Sequence, residues 1–155
     1  MRIDRDTLLF FDASCLIAAA GSPTGGSSFL LSLCAGGLLK GAISQPVMLE
    51  AERNILAKRG LPILNAYYRL IVLTPCTVVF LPPKAEQRVY RDVVGEKDEH
   101  VVAATMVAKA PFLLTLDKKL AERVNQASLS ITAVSPGEFI KTVLPRHVDY
   151  PRQGE

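Results

Sequence analysis

The chain has 155 residues, 49% apolar and 21% charged, with 18 Lys and Arg against 15 Asp and Glu for a net charge of +3. That is the length of one ordinary domain with a real core, which argues against disorder, and the mild charge neither identifies a nucleic-acid binder nor repels a polyanion. Three cysteines without CxxC spacing (Cys15, Cys34, Cys76), no Trp and two His argue against a disulfide scaffold, a structural zinc site and an aromatic platform for stacking bases.

In chain order, Thr7 to Phe11 is an apolar run that fits a buried strand, closed by Asp12. Ser14 is placed to cap a short helix that begins at Cys15. The loop 21–26 (Gly-Ser-Pro-Thr-Gly-Gly) is strong punctuation, and helical spacing resumes from Ser27 to Leu39, with Gly36-Gly37 near its end. Ala42 to Ser44 is a second strand. Pro46 opens a helix that reaches about Lys58, and Gly60 stops it. Leu61 to Leu73 has the apolar spacing of another helix, and Thr77 to Leu81 that of a third strand. Lys84 to Val94 reads as one amphipathic helix, and Asp98 caps the next, which Pro111 ends. Phe112 to Leu116 is a fourth strand closed by Asp117. A helix over 118–124, a strand over 129–134 and a helix over 136–144 complete the domain, with a tail from 145 to 155.

Buried strands that alternate with helices imply a three-layer α/β/α sandwich around a central parallel sheet. Its working site is expected at the carboxyl ends of the strands, where the strand order reverses. No apolar stretch reaches the ~18 residues a membrane span needs, because Asp12, Ser14 and Lys40 interrupt the best two. Asp12 also falls mid-way in the run after Arg2 and Arg5 that would have to be a leader peptide, so the chain is expected in the cytoplasm, a reducing compartment where its cysteines are small buried apolar residues.

Most acids, such as Glu86, Asp92, Glu122 and Glu138, fall on polar helix faces. Four stand apart. Asp12 and Asp117 each follow a buried strand, Glu50 follows the apolar triplet Val47-Met48-Leu49, and Asp98 precedes the buried face that starts at Val101. Singly, each has a plain role: Asp12, Asp98 and Asp117 as helix caps, and Glu50, with Asn54 one turn later, as a first-turn acid facing the helix dipole. Together they would converge at the strand carboxyl ends and repel one another, which calls for a cation. Carboxylates suit Mg²⁺ or Mn²⁺, and the absence of His and Cys argues against zinc. A dication held this way polarises phosphate oxygens and activates water, so phosphodiester hydrolysis is the reaction class the cluster suggests.

The sequence resembles the PIN domains, a family of metal-dependent ribonucleases, over roughly residues 7 to 144. The resemblance rests on Leu8-Leu9-Phe10-Phe11-Asp12-Ala13-Ser14, on Gln45 through Asn54 around Glu50, on Lys97 through Thr105 around Asp98, on Phe112-Leu113-Leu114-Thr115-Leu116-Asp117 and on the closing Ser135-Pro136-Gly137-Glu138-Phe139. It implies that Asp12, Glu50, Asp98 and Asp117 bind Mg²⁺ or Mn²⁺ and cut RNA, with Ser14 and Thr115 orienting carboxylates and Asn54 assisting Glu50. Glu52 and Glu99 adjoin the motif acids and remain alternatives to Glu50 and Asp98. His100 reads as a helix surface residue. Arg53, Lys97, Lys118 and Lys119, close to the motifs in sequence, would hold flanking phosphates. Many small PIN domains are toxins of VapC-type toxin–antitoxin pairs, so the resemblance also implies a protein antitoxin and a homodimer. The alternative from another class is a non-catalytic PIN-like module that binds RNA or acts as a scaffold. A receiver domain or an aspartyl-phosphate phosphatase fits less well, since the phosphatase needs Asp where Ser14 stands.

Overall fold

Runs of apolar side chains become strands here because a parallel sheet covered on both faces needs no polar alternation. The computed structural model describes residues 1–151. Its strands are β1 (Leu8–Phe11), β2 (Lys40–Ser44), β3 (Thr77–Val79), β4 (Phe112–Leu114) and β5 (Thr132–Val134). All pair in parallel, in the order β3-β2-β1-β4-β5. Phe10 lies between Ala42 of β2 and Leu113 of β4, and it is fully buried, as are Leu9, Phe11 and Leu114.

The helices are α1 (Ala13–Gly21), α2 (Gly26–Ala35), α3 (Gln45–Lys58), α4 (Leu61–Leu73), α5 (Lys84–Gln87), α6 (Arg91–Val94), α7 (Glu99–Ala108), α8 (Lys118–Gln126) and α9 (Pro136–Glu138). α1 to α4 pack on one another as one layer, and α5 to α8 form the second. The chain is therefore the three-layer α/β/α sandwich its sequence implies. Among the described residues no helix is long and apolar enough to cross a membrane. The chain lays β1, β2 and β3 side by side and then returns to add β4 on the free side of β1, so the strand order reverses between β1 and β4. In such sheets the carboxyl ends of those two strands bound the crevice that ligands use.

Several boundaries differ from expectation, for reasons of tertiary contact. Asp12, not Ser14, caps α1, its Oδ1 accepting from the Ala13 amide at 2.8 Å. β3 stops at Val79 because its partner β2 ends opposite, at Ser44, and turns into α3; Phe80 is left 88% exposed. The segment 84–94 breaks into α5, a 3-10 turn over Arg88–Tyr90 and α6. Its buried members are Val94 and Gln87, whose amide donates to the Pro82 carbonyl at 2.8 Å, and Val89 is turned outward. Ser128, in the left-handed region, reverses the chain after α8, so β5 pairs only from Thr132. After α9 the chain widens into a π-helical turn over Phe139–Val143, where Thr142 donates its hydroxyl to the Glu138 carbonyl at 2.7 Å.

Residues 145–150, expected as a tail, fold back on the body. His147 is buried and pairs with Ile3 as an isolated parallel bridge. Its Nε2 lies 2.7 Å from the Leu38 carbonyl, and its Nδ1 accepts from the Asp149 amide at 3.0 Å, which places the ring proton on Nε2. The last tail residues, 152–155, lie outside the described residues.

Candidate functional site

Asp12 is the buried centre of the reversal point. Its amide continues the ladder to the Leu114 carbonyl at 3.0 Å, and its Oδ1 is committed to capping α1. Its Oδ2 accepts the Thr115 hydroxyl at 2.8 Å and the Ser14 hydroxyl at 3.2 Å. Each hydroxyl also accepts: Thr115 Oγ1 from the Asp117 amide at 3.1 Å and Ser14 Oγ from the Leu116 amide at 3.0 Å. These bonds tie the end of β1 to the end of β4 and fix one carboxylate orientation. Asp117 is exposed and caps α8, its Oδ1 accepting from the Lys119 and Leu120 amides at 3.0 and 3.1 Å.

Glu50 and Asp98 reach the same place from α3 and from the residue before α7. Burial pushes the Glu50 carboxyl above its usual value, the charge of Asp12 pushes it further, and Asp98 adds to this against Lys97 and Arg53. Asp98 is raised in the same way, by burial, then by Asp12 and by Asp117, with Lys97 and His100 opposing. All four predicted acids thus share one electrostatic field. Among the described residues none of the four has a Lys, Arg or His partner within ion-pair distance. Their spacing is open: among the described residues no three His, Cys, Asp or Glu side chains are grouped so as to hold a metal ion. The donor chemistry, hard oxygens without cationic partners, fits Mg²⁺ or Mn²⁺.

Asp98 stands at the first position before α7 but makes no side-chain cap bond, contrary to its expected role, so its carboxylate is free of that duty. The two alternative acids are engaged elsewhere. Glu99 is 3% exposed and receives Arg91 in a two-pronged pair, Nε to Oε2 at 3.0 Å and Nη2 to Oε1 at 3.1 Å. That guanidinium holds the Glu99 carboxyl below the usual carboxylate range. Glu52 accepts the Tyr68 hydroxyl at 2.7 Å. Two positions apart on a helix are about 200° apart around the axis, so only one of Glu50 and Glu52 can face the sheet ends.

Of the predicted cations, Lys97 acts on both Glu50 and Asp98 and Arg53 acts on Glu50. Lys118 and Lys119 are exposed on the first turn of α8. Lys118 lines a cavity of about 520 Å³ that runs from Thr115 past Ala133 and Val134 to Glu138. Asn54 is half-buried one turn along α3 from Glu50. His100 is not the surface residue expected. It is half-buried, its Nδ1 is enclosed without a hydrogen-bond partner among the described residues, and burial lowers its pKa while Asp12 and Asp98 pull the other way. Its place two residues after Asp98, at the start of a helix with little polar face, is the signal that could have revealed it.

No protein-family model matches the chain, and no curated protein is similar to it in sequence. Solved structures are similar in shape. PAE2754 from Pyrobaculum aerophilum superposes with a TM-score of 0.61 at 18% identity, covering 88% of this chain and 94% of that one. This chain shares that fold. VapBC2 from Rickettsia felis, solved with a DNA fragment from its promoter, has a TM-score of 0.58 at 14% identity, covering 83% of this chain and 98% of that one. VapBC-1 from nontypeable Haemophilus influenzae gives 0.53 at 12% identity, with coverage of 84% and 98%.

Proposed function

We propose that the chain is a metal-dependent endoribonuclease of the PIN type, in which Asp12, Glu50, Asp98 and Asp117 hold Mg²⁺ or Mn²⁺. The observation that carries this reading is the shared field of four carboxylates, without ion-pair partners among the described residues, at the reversal point of the sheet. Bound dications supply Lewis-acid polarisation of the phosphate and activation of water. Ser14 and Thr115 orient the Asp12 carboxylate, and Asn54 assists Glu50 from one turn away. Lys97 and Arg53 moderate the negative field, and with Lys118 and Lys119 they hold RNA phosphates on either side of the scissile bond. RNA incubated with the protein should be cut in Mn²⁺ or Mg²⁺ and left intact in EDTA. Equal cutting in EDTA would contradict the metal's role.

The pKa directions give a second expectation. Glu50 and Asp98 have folded-state values above their unfolded ones, so the folded chain binds more protons between the two. Stability is therefore greatest on the acid side of that window and is lost as pH climbs through it toward neutrality. A dication offsets the repulsion at pH 7, whereas near pH 4–5 protons compete for the same oxygens. Millimolar Mn²⁺ should raise the melting temperature at neutral pH, and the rise should shrink in acid. A rise equal at both pH values would place the ion elsewhere.

By its likeness to the VapBC structures we assign the chain the toxin's part in a toxin–antitoxin pair, working in the cytoplasm as a homodimer with a protein antitoxin. Val72, Leu73 and Phe80, at 81%, 68% and 88% exposure, supply apolar surface for such protein contacts. The second reading, a non-catalytic RNA-binding or scaffold module, draws on the open spacing of the acids. It would be favoured by RNA binding without cutting and by melting that Mn²⁺ leaves unmoved.

A further inference from the structure

Two of the three cysteines meet beside Gly41, near the amino end of β2. Cys34 lies in the last turn of α2, and Cys76 lies between α4 and β3. Gly41 of β2 runs beneath both. A Cβ on Gly41 would stand 2.7 Å from the Cys76 Sγ and 3.4 Å from the Cys34 Sγ, so the strand leaves its one side-chain vacancy where the sulfurs sit. Two sulfurs that close to a single point are at most about 6 Å from each other, a gap that side-chain rotation can close where the Cα separation suits a disulfide. Cys15 is fully buried in α1 and is not among the three atoms nearest that point.

We propose that Cys34 and Cys76 are a dithiol that hydrogen peroxide closes to a disulfide, fastening the end of α2 to the start of β3 across Gly41. Cys76 is half-buried and Cys34 is buried, so Cys76 meets the oxidant first. Its thiolate attacks one peroxide oxygen, the O–O bond breaks, and hydroxide leaves to take up the thiol's proton as water. Cys76 is then a sulfenic acid. The Cys34 sulfur attacks the Cys76 sulfur, the S–S bond forms, the S–O bond breaks, and a second water leaves. The two thiols lose two electrons and the peroxide gains them.

The surroundings set the pace. Burial pushes the Cys76 thiol up to about 11, and burial together with Cys76 pushes the Cys34 thiol up to about 12. Little thiolate exists at neutral pH, so closure is slow there and quickens about tenfold per pH unit in mild alkali. High-pKa thiols are also poor leaving groups, so the bond once made resists thiol reductants. The pair is a slow lock rather than a fast sensor. The ring it closes contains β2, α3 and α4. Cross-linking a loop of that size raises the melting temperature by roughly 10 °C. Because Gly41 is at the amino end of β2 and the acids are at the strand carboxyl ends, this proposal does not depend on the ribonuclease reading.

The test treats the reduced protein with hydrogen peroxide at mildly alkaline pH, then unfolds and alkylates it for peptide mass spectrometry. A single linked peptide pair containing Cys34 and Cys76, two hydrogens lighter than the reduced pair, is expected, with Cys15 alkylated. The melting temperature should rise, and neither Cys34→Ser nor Cys76→Ser should show the link or the rise. Three alkylated cysteines, a bond to Cys15, or Cys76 oxidised to sulfinic acid with Cys34 still free would each overturn the proposal.

Discussion

Asp12→Asn is expected to lower RNA cleavage by at least roughly 10²–10³-fold while leaving the melting temperature within a few degrees of wild type. Both halves follow from what Asp12 touches. It is the largest charge acting on Glu50 and also on Asp98, so removing its charge dismantles the field that would attract a dication. The fold keeps what it needs. An Asn Oδ1 still accepts the Ala13 amide and caps α1. Its amide nitrogen can donate to the Ser14 and Thr115 hydroxyls, each of which has a second lone pair beyond the one accepting Leu116 or Asp117. Two charge-assisted bonds are weakened, and the repulsion on Glu50 and Asp98 is relieved, so the two effects oppose each other. Asp12→Ala differs: the Ala13 amide and both hydroxyls lose their acceptor, at a cost of about 1–3 kcal/mol. Cleavage assays and melting curves on the two variants separate the charge from the scaffold. Cleavage by Asp12→Asn at the wild-type rate would remove Asp12 from the site.

Phe10→Ala carries the largest expected effect on stability, about 3–5 kcal/mol. Phe10 is fully buried at the middle of the central strand, flanked in register by Ala42 and Leu113. A domain holds only about 5–15 kcal/mol in total, so the variant would be marginally folded at best. The urea midpoint should fall steeply with an unchanged slope. A loss below about 1 kcal/mol would mean that the centre of the sheet is packed far more loosely than its burial indicates. The result bears on function as well, because Asp12 follows β1 two residues later and is held to the sheet by that strand and by its link to β4.

The strands were legible because a doubly covered parallel sheet writes itself as uninterrupted apolar runs, as in Leu8–Phe11 and Phe112–Leu114. The acids at their ends were legible for the same reason, since a carboxylate directly after such a run is conspicuous. What stayed hidden depends on contacts distant in sequence. Nothing local says that β3 loses its neighbour at Val79, or that Gln87 turns inward and breaks the 84–94 segment. The sequence favoured Asp98 over its neighbour Glu99 only as the natural helix cap, with Glu99 kept as an alternative. The structure separates them, because Arg91, eight residues upstream, folds back onto Glu99 and leaves Asp98 to the field of Asp12. Only the capping role expected of Asp98 is absent, since it precedes α7 without making a cap bond. His100 was misread because α7 is buried on most of its circumference, so a polar residue near its start need not face water.

In the proposed function Asp12, Glu50, Asp98 and Asp117, and not their neighbours, form one metal-dependent cleaving centre. It is tested most directly by the rate of RNA cleavage in saturating Mn²⁺ for six charge-neutralised variants side by side. Asp12→Asn, Glu50→Gln, Asp98→Asn and Asp117→Asn should each lose cleavage, whereas Glu52→Gln and Glu99→Gln should keep it. Full activity in any of the first four, or loss in a Glu52 or Glu99 variant that remains folded, would show that these four acids do not form the cleaving centre.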